Sequence, residues 1–76
     1  MKNKDFIKLI EGVSNNILIN DLNSCSYVSK IRLNDCINFY KLFENKKDKK
    51  YYFNEIKRLL LDFNLKLNIE FEQIEF

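Results

Sequence analysis

The side chains able to carry chemistry are few in this chain, and the missing types constrain function more than the present ones. The 76 residues include no His, Trp, Pro, Ala or Thr and a single glycine, Gly12. Without imidazole, no side chain has an ordinary pKa near neutrality, and Ser or Cys triads lose their central base. A Ser–Lys pair needs a buried lysine of lowered pKa beside the hydroxyl, whereas Ser29 and Lys30 are sequence neighbours that project to opposite faces. A phosphate-cradling loop needs several glycines. The aspartates, Asp5, Asp21, Asp35, Asp48 and Asp62, are scattered and lack calcium-loop spacing. Glu70 and Glu72 share one face of an alternating segment, where carboxylates keep a strand edge soluble, and nothing near them suggests a sugar cleft. Cys25 and Cys36 fit no metal-binding spacing, so two reduced, structural thiols are expected. The expectation is a non-enzymatic protein with no cofactor and no metal.

Three surface features remain for a binding function. Lys46, Lys47, Lys49 and Lys50, followed by Tyr51 and Tyr52, combine phosphate-seeking charge with rings on which bases could stack. The same run also reads as a solvated connection between helices, and eleven lysines and eleven asparagines make lysine part of the compositional background. The second feature is a charge split: residues 1–58 carry 12 basic and 7 acidic groups, residues 59–76 carry 1 and 4. Such a dipolar molecule favours oriented docking to a protein over coating a nucleic acid. Third, Tyr51 and Leu61 fall outside the apolar arc of their helix and flank Asn54 and Arg58, a mixture of the kind that anchors protein interfaces. Glu70 and Glu72 on the last strand complete the candidate protein-binding set. Ile74 and Phe76 continue the phase of those glutamates, so either a bulge near Gln73 turns them inward or they are exposed.

The elements positioning these residues belong to one domain. The net charge is +2, with 46% apolar and 32% charged residues, which is neither a disordered nor a fibrous composition. Nine Ile, ten Leu, two Val and seven Phe supply a dense core. Lys8 and Glu11 interrupt the only apolar stretch near the start, so neither a secretory leader nor membrane insertion is expected, and the location expected is cytoplasmic.

Phe6, Leu9, Ile10 and Val13 recur at helical spacing, which predicts a helix over 4–12 with Asn3 as its cap and Gly12 with Ser14, Asn15 and Asn16 as its stop. From Asn16 to Leu33 the period shifts toward two, predicting a hairpin: a short strand Ile17–Asn20, a turn over 21–24, and a second strand carrying Cys25, Tyr27, Ile31 and Leu33 on one face. Asn34 or Asp35 would then cap a helix through Cys36, Phe39, Tyr40 and Phe43 up to Asn45. A further helix spans 51–63, with Tyr52, Phe53, Ile56, Leu59, Leu60 and Phe63 inward. Strict alternation of Leu65, Leu67, Ile69 and Phe71 with polar residues predicts the last strand. The expected fold is α+β, in the order α-β-β-α-α-β, with a three-stranded antiparallel sheet covered on one face by helices.

A second parse has Ser14 capping a helix over 15–22 and Ser26 opening another over 27–33. The stretch Cys25–Asp35 then resembles the recognition helix of helix-turn-helix repressors, although the turn lacks glycine and Asp21 stands where an apolar residue should pack. That resemblance implies a nucleic-acid-binding regulator using Lys30 and Arg32 together with Lys46, Lys47, Lys49 and Lys50. The primary expectation is a protein-binding module. In size, in lack of catalytic inventory and in a wealth of Lys and Asn, residues of AT-rich codons that point to an AT-rich genome, it is similar to the small inhibitors, anti-CRISPR proteins among them, that phages and mobile elements make against host defence. The expected partner is a larger protein or protein–nucleic acid complex, and a homodimer is compatible with so short a chain.

Overall fold

Asparagine does much of the capping in this alanine-free chain. Oδ1 of Asn23 accepts from the Ser26 N–H at 2.8 Å, and Oδ1 of Asn45 accepts from the Lys47 N–H at 2.7 Å, each satisfying a donor that a helix start leaves open. The computed structural model describes residues 1–18, 20 and 23–76. In it these caps open α2 (Ser24–Leu42) and α3 (Lys46–Leu61), which follow α1 (Asn3–Asn15). A 3-10 turn, Phe71–Gln73, ends the order of elements.

The helices α2 and α3 run antiparallel across the short connection 43–45. Ser29 meets Asp62 at one end of the pair, and Lys49 meets the Tyr40 carbonyl at the other. On α1, Phe6, Ile10 and Ser14, spaced by four, are buried. The core joins these to Leu33, Cys36, Ile37 and Tyr40 of α2, Phe53, Ile56, Leu59 and Leu60 of α3, and Leu67, Phe71 and Ile74 of the last segment. Phe6 is its centre, with ring centroids 5.3 Å from both Tyr40 and Phe53, while Phe71 meets Phe53 at 5.6 Å. Burial lifts the Tyr40 hydroxyl to a pKa of about 12, and that hydroxyl donates to Asn3 Oδ1 at 2.6 Å.

The expected α+β fold is overturned: among the described residues there are three helices and no sheet. Among the described residues, the one isolated bridge pairs Lys2 with Glu75. The predicted second strand lies inside α2, which is continuous from Ser24. Apolar residues on both sides of that helix, Leu33, Ile37 and Tyr40 within and Val28, Ile31 and Phe39 without, blur its 3.6-residue period into an apparent alternation. Packing against two neighbours also overrides the modest helix propensity of Val and Ile. Of the first strand and its turn, Ile19, Asp21 and Leu22 lie outside the described residues, and Ile17 and Leu18 pair with no strand.

The last segment does alternate in burial, with Leu67 and Phe71 buried and Lys66, Asn68 and Glu70 exposed. Its backbone, however, lies extended over the helices without a partner strand. Alternation reports an extended chain laid on an apolar surface, and a sheet is only one way to provide that surface. The 3-10 turn then shifts the phase, so Ile74 is buried while Phe76 stays 54% exposed.

Two further boundaries differ. Gly12 does not stop α1, which continues to Asn15, and Asn3 is its first helical residue, with Lys2 at the cap position. The lysine run is not a connection: it forms the first turns of α3. The helix-turn-helix parse is absent too, since Cys25–Asp35 lies within one long helix and Ser14 within α1.

Candidate functional site

The lysines considered for nucleic acid divide into separate places. Lys30 is buried in the first half of α2, and its ammonium donates to the Ser14 carbonyl, to Ser14 Oγ at 2.6 Å and to Asn34 Oδ1 at 3.4 Å. Lys49 is buried at the opposite end of the α2–α3 pair, donating to the Tyr40 carbonyl at 2.6 Å with its charge 4.6 Å from the Tyr40 ring centroid. Both satisfy carbonyls in the last turns of helices, where a cation meets the negative end of the dipole. Burial pulls both pKa values below the ordinary lysine value. Lys50 pairs with Glu72 at 2.9 Å, and Lys46 lies over the Phe76 ring. Arg32 and Lys47 remain exposed, at positions the fold does not bring together.

Ser14 and Lys30 form the buried serine–lysine contact that sequence neighbours could not supply. Its geometry is that of a cap. The Ser14 hydroxyl donates its one hydrogen to Asn34 Oδ1 at 2.6 Å and accepts from the lysine, so the lysine is not placed to take the serine proton. Nothing in the sequence flags this contact, because it joins residues sixteen apart through the crossing of α1 and α2.

The protein-binding candidates fare differently. Tyr51, Asn54, Arg58 and Leu61 follow the helical repeat along α3 and are all exposed, Tyr51 at 60% and Leu61 at 58%. Arg58 is held by Glu55 at 2.9 Å, a pairing that lowers the Glu55 pKa. Glu70 and Glu72 flank this row through Lys57 and Lys50, at 3.1 and 2.9 Å. The acidic last segment is thus folded onto the basic helix, and much of the charge split is satisfied within the molecule.

Beside the row lies a feature that the sequence reading missed. Val28, Ile31, Arg32, Asp35, Cys36 and Phe39 of α2 form one wall of an open groove of about 590 Å³, and Tyr51, Tyr52 and Glu55 of α3 form the other. Its end is stiffened by aromatic contacts: Tyr52 stacks on Phe39 at 5.3 Å and on Phe43 at 5.6 Å, and Tyr51 meets Tyr52 edge-on at 5.0 Å. Cys36 sits in the groove, its thiol pKa pushed up first by burial and then by Glu55. Assigning Cys25–Leu33 to a strand hid this wall, since only a helix brings Val28, Ile31, Asp35 and Phe39 onto one side.

Comparison with family models, with curated proteins and with solved structures returns no match. Among the described residues, no helix is long and apolar enough to cross a membrane.

Proposed function

We propose that this protein is a cytoplasmic, non-enzymatic binding module that acts by occupying the surface of a larger protein or protein–nucleic acid complex, in the manner of phage- and mobile-element inhibitors of host defence. The observation carrying this reading is the exposed row Tyr51, Asn54, Arg58 and Leu61 on α3, bordered by the aromatic groove. Aromatic, arginine and aliphatic side chains held on a rigid helix lose little conformational entropy on docking, which is what concentrates binding energy in a few residues. The basic residues favour this reading over nucleic acid: buried Lys30 and Lys49 are engaged in helix ends, and Lys50 is paired.

The test is capture from host lysate with the wild-type chain and with Arg58→Glu and Leu61→Asp, both at exposed sites. A stoichiometric partner retained by wild type and lost by both variants is the expected result. No partner, or one indifferent to both changes, counts against the proposal. A gel shift at low salt that responds to Lys47 and Arg32 substitution would instead favour the nucleic-acid regulator.

A further inference from the structure

Apolar residues cover the groove wall of α2 without a covering element of their own, Val28 being 62% exposed and Ile31 and Phe39 43% each, and Leu42, 70% exposed, extends the apolar face beyond the groove. Exposure alone does not say what covers them. The charges between them do. Arg32 and Asp35 lie in the middle of this wall, and neither takes part in an ion pair among the described residues. They stand at equal distances on either side of the midpoint between Leu33 and Asn34.

We infer that this wall is the contact between two copies of the chain, packed α2 against α2 in antiparallel fashion about a two-fold axis through that midpoint. In such a pair, residues equidistant from the midpoint face each other. Arg32 of each copy meets Asp35 of the other, so two Arg–Asp pairs form and each charge gains one partner. Val28 meets Phe39 and Cys25 meets Leu42, so apolar groups face apolar groups along the seam, with Ile31 set over the buried Cys36. A parallel arrangement would set Arg32 against Arg32 and Asp35 against Asp35, so the charges select the antiparallel two-fold. An unrelated helix could cover the apolar residues, but this same surface already presents the complementary sign at both positions.

The dimensions allow it. The molecule measures 36 × 19 × 16 Å, and a 19-residue helix is about 28 Å long, enough for a contact along most of the long axis. A standard interface takes about 800 Å² from each partner, roughly 15% of the 5318 Å² accessible here. The pairing leaves Asn54, Arg58 and Leu61 free on both copies, so the dimer presents the outer row of α3 twice.

Sedimentation equilibrium from about 1 µM to about 500 µM tests this, with charge reversals at the two exposed positions. Wild type is expected to approach twice the 9.2 kDa of one chain. Arg32→Asp and Asp35→Arg each place like charges across both contacts, and each is expected to weaken association at least about tenfold. An equimolar mixture of the two restores opposite charges at both contacts and is expected to recover the dimer. Circular dichroism of each variant confirms that the fold is kept. A wild-type monomer throughout the range, reversals without effect, or a mixture that fails to associate would each overturn the pairing. A monomer that still captures a host partner through Arg58 and Leu61 would do so while leaving the proposed function standing.

Discussion

At the scale of single residues, the buried lysines show how one side chain changes meaning with its surroundings. Among the described residues, Lys49 is the one hydrogen-bond donor to the Tyr40 carbonyl, one of the carbonyls that the end of α2 leaves open. Lys49→Met removes the donor and keeps the stem, so it should destabilise the fold by about 1–3 kcal/mol, the penalty of an orphaned buried acceptor. Lys47→Ala, at an exposed position, should stay within about 0.5 kcal/mol. Urea titrations of the two variants check the contrast, and equal losses would remove the capping role. Tyr40 gives a pH signature. Its pKa is raised from 10.0 to about 12 by burial, so the folded state holds the proton more tightly than the unfolded chain. Stability from this group is complete below pH 10 and is lost as pH rises toward 12, by about 2 kcal/mol. Lys30 and Lys49, with lowered pKa values, act in the opposite sense as pH approaches 10.5. Comparing Tyr40→Phe with wild type across that range isolates the tyrosine: the variant should lose less stability than wild type, and parallel curves would contradict the assignment.

At the scale of elements, Gly12 is informative because it lies inside α1 without a conformational reason for glycine. It has no positive φ, and a Cβ there would meet nothing within 4 Å. Gly12→Ala should therefore stabilise the protein by about 0.5–1 kcal/mol, visible as a rise in melting temperature of about 2–8 °C. A lower melting temperature would show that Gly12 serves some contact outside this fold. The left-handed turn appears instead at Asn64, φ 58°, after the end of α3, where the Leu65 N–H reaches back to the Leu60 carbonyl at 3.0 Å. The stop residue expected of glycine was thus taken by asparagine, and at another helix.

At the scale of the whole molecule, the last segment is part of the core. Phe71 touches Phe53 and is 9% exposed, and Leu67 and Ile74 are buried beside it. A chain of this size has a net stability of roughly 4–11 kcal/mol. Phe71→Ala, at about 3–5 kcal/mol, should therefore bring it close to unfolding at room temperature. Thermal melts check this, and a loss below about 1 kcal/mol would mean that the segment merely rests on the helices. Two ion pairs, Lys50–Glu72 and Lys57–Glu70, lie along the same seam. As exposed pairs they guide register more than they stabilise.

What the sequence determined by itself is the material: a dense aliphatic and aromatic core, the existence of the first and last helices with most of their buried faces, the extended character of residues 65–70, and the candidate row on α3. These are legible because each depends on the spacing of apolar residues within one segment. Only the tertiary structure decided that Cys25–Leu33 is helical, that the extended segment meets helices instead of strands, and that Lys30 and Lys49 are caps. Each of those depends on a surface supplied from elsewhere in the chain. Alternation says which side chains turn inward, but the neighbour that receives them determines whether the backbone pairs. A lysine's charge is likewise the same in any sequence, while its partner carbonyl exists only where two helices cross.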